Sequence, residues 1–268
     1  FSITRGIRQG DSLSALLYIL QFEPLMQKIR TESRVPGVKI NLRYSNKEEI
    51  ASKGCQYVDD SNTALKDIQT VKPFLGILDR YERVSGSKIN IDKTVCLAVK
   101  NIKNPFNFKL TVSTGPERVL GVPLGSKRDK VDSFWEGLIQ KLKAKLEIWK
   151  QRDLSYEGKV LIIRRMAVSK IENAMTMISI TDQHVTEINS LIYNFLWSGK
   201  NCKLNRQICS LPREMGGLNI VDINVLIKVK RVQWIIRALK DNSGQVWSRL
   251  IENYIRCLDN NFGIKIFC

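Results

Sequence analysis

Two adjacent acids, Asp59 and Asp60, sit behind Cys55-Gln56-Tyr57-Val58 and ahead of Ser61-Asn62. The short β-prone flanks predict a tight strand–turn–strand with the carboxylates at its tip. Carboxylates clustered on a rigid turn can hold two Mg2+ ions roughly 3.5–4 Å apart. One ion activates the 3′-oxygen of a primer and the other steadies a leaving pyrophosphate. In such a site Tyr57 can lie under the primer end. An Asp-Asp pair is also the ordinary mark of a solvated turn, so the tetrad by itself leaves both readings open.

The elements that must position this hairpin follow from periodicity. Arg5-Gly6-Ile7-Arg8-Gln9-Gly10-Asp11-Ser12 is a polar, glycine-punctuated loop. Behind it Leu13, Leu16, Leu17 and Leu20 recur at helical spacing, and Leu25 and Ile29 continue the stripe. Asp11 or Ser12 is the expected cap, and Pro24 the expected kink or break. Asn41–Lys53 is a polar stretch. Lys66–Val84 reads as a helix with Phe74, Leu75, Leu78 and Tyr81 on one face, stopped by Ser85-Gly86, and Thr94–Val99 reads as a strand. Val119–Gly125 forms a second hairpin-like piece, so residues 1–125 alternate helix and strand in an α+β pattern.

From about Ser133 the chain turns to helix after helix. Trp135, Leu138, Ile139, Leu142, Leu146 and Trp149 share a face from which Lys141, Lys143, Lys145 and Lys150 are excluded. Further helical stretches cover Gly158–Met177, His184–Trp197, Asn224–Leu239 and Val246–Leu258. A boundary is expected near Gly125–Val131. Divided in this way, the chain has an α+β part at 1–125, a helical part at 126–200 and a helical C-terminal extension at 201–268.

Composition narrows the partners. The sequence holds 43 Lys and Arg against 26 Asp and Glu, a net +17, and an excess of this size attracts polyanions. Lys141, Lys143, Lys145, Lys159, Arg164 and Arg165 are the candidates for tracking a nucleic-acid backbone, with a solvated helical face as the alternative. Six cysteines lack paired spacing and His184 is the single histidine, so neither a disulfide framework nor a zinc site is expected. No apolar run approaches the roughly 18 residues of a membrane span. Phe1 opens directly into a motif, which points to part of a longer polypeptide.

Read in order, the segments resemble LINE-type (non-LTR) retrotransposon reverse transcriptases. The Arg5–Tyr18 segment is similar to the palm segment that precedes the Asp-Asp hairpin in that family. Ser85-Gly86-Ser87-Lys88-Ile89-Asn90-Ile91-Asp92-Lys93-Thr94 resembles the segment that follows it, and Leu120-Gly121-Val122-Pro123-Leu124-Gly125 the hairpin that grips the primer. Trp149–Ser155 with Gly158-Lys159-Val160 looks like the thumb. Asn194-Phe195-Leu196-Trp197-Ser198-Gly199-Lys200 and Gly216-Gly217-Leu218-Asn219-Ile220 are similar to stretches downstream of it. Ser12 and Ala15 stand where many members carry prolines, and the hairpin flanks Lys53, Gln56, Ser61 and Asn62 are unusually polar.

The resemblance implies a partial right-hand palm over residues 1–125 followed by an all-α thumb and a helical C-terminal region. It implies RNA-directed DNA polymerase activity in the intact protein, with dNTPs added to a DNA 3′-end on an RNA template. Asp59 and Asp60 would ligate two Mg2+ ions with a third, upstream aspartate. Arg5, Gly6, Arg8, Gln9, Gly10, Tyr57 and Lys93 would contact nucleotide or template, and Leu120 and Gly121 would hold the primer. Lys93 fits a solvated surface charge equally well, and Leu120-Gly121 a plain turn. The family works in the nucleus with a cytoplasmic ribonucleoprotein stage. The competing reading is a catalytically dead, nucleic-acid-binding remnant of a retroelement.

Overall fold

A computed structural model describes residues 10–42, 49–57, 60–98, 110–113, 117–119, 121–124, 128–201, 204–241 and 243–262. Helices dominate and the described residues form four separate two-stranded sheets, so the chain is α+β. It forms two compact units, Phe1–Thr114 with Ala238–Cys268, and Gly115–Arg237.

In the first unit α1 (Ser14–Thr31) starts where the Asp11 carboxylate accepts the Leu13 N–H at 2.9 Å and the Asp11 carbonyl accepts that of Ser14. The expected break at Pro24 does not occur, and one helix runs through it. A proline inside a helix costs roughly 3 kcal/mol. Leu25, Met26 and Ile29 lie just beyond it and are all buried. At roughly 1.5–3 kcal/mol for each such side chain, their burial outweighs the lost hydrogen bond. The other half of the leucine stripe behaves differently: Leu13, Leu16, Leu17 and Leu20 are 45–69% exposed.

The polar stretch after α1 holds an unanticipated hairpin, in which β1 (Val38–Asn41) pairs antiparallel with β2 (Glu49–Ser52). Backbone pairing needs no apolar alternation, which is why residue types did not reveal it. Gly37 is required there, because a Cβ would come within 2.3 Å of the Ser52 carbonyl oxygen. The Lys53 ammonium then donates to the carbonyls of Ile29 (3.3 Å) and Glu32 (2.8 Å). It places a cation at the negative end of the α1 dipole.

The next hairpin joins β3 (Gly54–Tyr57) to β4 (Asp60–Thr63). A single 3-10 turn at Ile68–Thr70, capped by the Asp67 carboxylate, leads into α2 (Val71–Ser85). Gly86, with φ of +72°, ends that helix as expected. Ile77 of α2 joins Leu25, Met26, Ile29 and Val35 in the core, with Phe22, Phe74 and Tyr81 packed against it. Beyond α2, β5 (Val95–Leu97) pairs in parallel with β6 (Thr111–Ser113). The last helix, α9 (Val246–Phe262), also belongs to this unit and contacts β2.

The second unit opens with the hairpin of β7 (Glu117–Val119) and β8 (Val122–Leu124), turned at Gly121 with φ of +81°. Helices α3 (Arg128–Lys150), α4 (Tyr156–Ile162), α5 (Ser169–Met177), α6 (Asp182–Leu196), α7 (Arg206–Ser210) and α8 (Ile223–Lys240) follow. A π-helical turn over Ile163–Val168 joins α4 to α5. Trp135, Ile139, Leu142 and Leu146 of α3 enter one core with Ile171, Ile188, Ile192, Leu196 and Ile223. The predicted α3 stripe is therefore the packing face, and the Trp135 indole donates to the Ser179 carbonyl at 2.8 Å. The compact units divide at Gly115 rather than near Gly125–Val131. Compactness follows contacts, and the β7–β8 hairpin contacts α3, whereas the sequence boundary followed a change of periodicity.

Candidate functional site

The strand register brings Tyr57 opposite Asp60, leaving Val58 and Asp59 as the two-residue connection. Asp60 is exposed at the start of β4. The hairpin is tightly built at its base, where a Cβ on Gly54 would come within 2.6 Å of the Asn62 carbonyl oxygen. Asp59 lies outside the described residues, as do Arg5, Gly6, Arg8, Gln9 and Leu120. No group of three or more potential metal ligands occurs among the described residues. A two-ion Mg2+ centre needs several carboxylate oxygens to offset the charge, and Asp60 is the hairpin carboxylate among the described residues.

The other palm positions have local explanations. Gly10 is exposed with φ of +93° and open space where a Cβ would be, a backbone shape that glycine adopts without strain. Asn90 caps the 3-10 turn Ile91–Lys93: its carboxamide oxygen accepts the Lys93 N–H at 3.2 Å and its carbonyl accepts the Thr94 hydroxyl at 2.7 Å. The Asn in this segment is thus a backbone cap, and the Lys93 side chain is left exposed.

The basic residues of the helical unit divide into two groups. Lys141 and Lys143 are exposed on α3, and Lys145 is half-buried beside the core leucines. Arg165 is exposed on the π-helical turn, with Ile163, Ala167 and Val168 buried beneath it. Lys159, by contrast, donates to the Leu196 carbonyl (3.2 Å) and the Ser198 hydroxyl (2.7 Å), and stacks over Tyr156. Lys150 donates to the Asn194 carboxamide at 3.3 Å. Both ammonium groups hold the C-terminal end of α6, where the helix dipole favours cations. Arg164 donates to the Asn219 carbonyl at 2.7 Å.

That last contact ties the arginine to Gly216-Gly217-Leu218-Asn219. Gly216 ends a short 3-10 turn with φ of +78°, and Asn219 is also left-handed at +55°. At Gly217 a Cβ would lie 2.0 Å from the Leu211 carbonyl oxygen. The N–H groups of Leu218 and Ile220 both reach the Cys209 carbonyl at 3.1 Å, and that of Asn219 reaches Leu211 at 2.9 Å. The segment is a close-packed backbone return beneath α7. Next to it, burial pushes the Tyr193 phenol above its usual range, and its hydroxyl donates to the Arg206 carbonyl.

Sequence reasoning did not anticipate one groove. Ser169, Glu172, Asn173 and Thr176 of α5 face Lys230, Gln233, Trp234 and Arg237 of α8 across a groove of about 420 Å3. The signal was present: both sets recur at i, i+3, i+4 and i+7, one face of each helix. Polar residues at that spacing read as solvated faces until the two helices are placed side by side.

No protein-family model matches the chain. It is 27% identical over 262 residues to "Transposon TX1 uncharacterized 149 kDa protein" of Xenopus laevis, covering 96% of this chain. The chain spans 19% of the length of that protein. Among the described residues, no helix is long and apolar enough to cross a membrane. Along almost its whole length, this chain is similar to a transposon-encoded protein.

Proposed function

We propose that the chain is the palm, thumb and downstream helical part of a LINE-type reverse transcriptase. In the intact protein Asp59 and Asp60 contribute to the Mg2+ site, and dNTPs are added to a DNA 3′-end on an RNA template in the nucleus. The observation that carries the reading is the β3–β4 hairpin, whose register leaves a two-residue connection between Tyr57 and Asp60. The similarity to a transposon protein over 96% of the chain supports the same reading.

The test is a chimera that joins the upstream palm and fingers of an intact relative to residues 1–268. Primer extension on an RNA template should appear, should depend on Mg2+, and should fall to background in Asp59→Asn. Residues 1–268 alone should give none, because two carboxylates only partly offset the repulsion between paired divalent ions. Extension by residues 1–268 alone, lost on Asp59→Asn, would overturn this account of the site. A second reading, a nucleic-acid-binding remnant without activity, draws on the exposed Lys141, Lys143 and Arg165. A folded chimera that binds RNA–DNA hybrid yet never extends a primer would decide for it.

A further inference from the structure

Helix α8 is apolar on two opposite sides, and only one of them is packed. Ile223 and Ile227 enter the core of the second unit, with Leu226 against it. Val225, Val229, Val232 and Ile236 lie on the other side of the same helix, 43–56% exposed, and all four belong to the second unit. A helix that is apolar all round is normally buried all round. Here the second stripe faces solvent.

The four exposed residues are spaced four, three and four apart, the a/d repeat of a coiled-coil seam. Such a seam is narrow, as packing against a single helix requires, and lacks the broad apolar face with which a helix lies in a lipid surface. The aromatic residue of this helix, Trp234, is not on the stripe but on the wall toward α5. All four stripe residues are β-branched, so they are stiff knobs with little rotamer freedom to lose on packing.

The flanks decide what kind of helix fits. In heptad terms Lys228 stands at g and Arg231 at c, and both are exposed. Among the described residues no carboxylate pairs with either. Helix α8 holds no Asp or Glu of its own, and Glu172 on α5 is taken by Lys230. A partner with acids beside its apolar stripe would neutralise Lys228 and Arg231, whereas a second copy of α8 would bring only further cations. A nucleic-acid backbone would meet the cations but leave the valines in water.

We propose that this face of α8 is a docking surface for an acidic amphipathic helix of a partner protein. Its apolar residues interleave with Val225, Val229, Val232 and Ile236, and its carboxylates lie beside Lys228 and Arg231. From Val225 to Ile236 the seam runs roughly 17 Å at the helical rise of about 1.5 Å per residue, so the contact is small and transient. This docking does not depend on the function proposed above.

The test uses the full 268-residue chain and a labelled three-heptad peptide with Ile at a, Leu at d and Glu at e and g. A matching peptide with Lys at e and g is the control. The acidic peptide should bind in roughly the micromolar range and gain helicity by circular dichroism as it does. The basic peptide should bind at least about tenfold more weakly. Val232→Glu should weaken acidic-peptide binding at least about tenfold, and Val232→Ile should retain it. Lys228→Glu combined with Arg231→Glu should reverse the preference toward the basic peptide, a change that unfolding cannot produce. Absence of acidic-peptide binding at about 100 μM, equal binding of the two peptides, or indifference to Val232→Glu would overturn the proposal. Two other occupants would overturn it as well. Phosphatidylserine vesicles bound by the wild type and not by Val232→Glu, without peptide selectivity, would make the face a lipid contact. A dimer in sedimentation that Val232→Glu dissociates would make it a contact between copies.

Discussion

The two compact units hold their motif residues by opposite means. In the first, Gly10, Asp60 and Lys93 are exposed, and the strands around them are three or four residues long in two-stranded sheets. Pairs this small are marginally stable by themselves and depend on packing against helices. In the second, the motif residues are the packing. Trp197 and Leu196 are buried, Lys159 fastens the end of α6, and Gly217 lies against a carbonyl. The motif residues are thus held in two ways: exposed at a surface in one unit, and by close approach of backbone in the other.

The comparison breaks first at Gly217. Replacing it with Ala drives a Cβ into the Leu211 carbonyl, and neither backbone can retreat without losing the hydrogen bonds at Cys209 and Leu211. Chemical denaturation should report a loss of about 4–5 kcal/mol or more, or no cooperative transition at all. Gly216→Ala, with open space at its Cβ, should cost only about 1–2 kcal/mol for the left-handed backbone. Equal effects at the two glycines would mean that close approach is not what the motif protects.

Next in size is a core pair. Ile188→Ala removes a fully buried side chain and should cost about 2–5 kcal/mol, whereas Leu20→Ala, 69% exposed, should stay within about 0.5 kcal/mol. A large loss at Leu20 would place a packed partner on that face of α1.

A smaller, pH-dependent effect sharpens the picture of the first unit. Arg34 and Lys28 flank Glu32 and hold its carboxyl down at about 2, against an ordinary value of 4.5. A depressed folded-state value stabilises the protein above about 4.5, and that stabilisation is lost as the pH falls toward 2. Glu32→Gln should therefore be less stable than the wild type at neutral pH and match it near pH 2. Melting curves across this range decide the point, and a constant difference at every pH would refute the ion-pair assignment.

The smallest effect on stability is expected at Lys141 and Lys143. Their double replacement by Gln should leave the melting temperature unchanged. It should also lower the slope of hybrid affinity against salt concentration by about 1–2. A melting change without a slope change would make them structural and remove the contrast with Lys159.

Much of the fold was legible because its causes are local. The α3 stripe, the stop at Gly86, the turn at Gly121 and the hairpin flanking Asp59 all follow from periodicity, glycine and short-range pairing. The N-cap of α1 is Leu13 and carries no side-chain cap, whereas Asp11 or Ser12 was expected; Asp11 accepts instead from the Leu13 N–H one step before the helix. For the candidate site, the sequence marked Tyr57, Asp59 and Asp60 as candidates, but only the pairing of β3 with β4 set Tyr57 against Asp60. Contacts distant along the chain were decided by tertiary structure alone. Lys159 read as a phosphate ligand because nothing near it in sequence shows that the end of α6, some 37 residues on, is within reach of its ammonium group. The parallel β5–β6 pair, the carbonyl under Gly217 and the exposure of Leu13–Leu20 are of the same kind. So is the groove of α5 and α8, whose two polar faces are ordinary solvated stripes until packing sets one against the other.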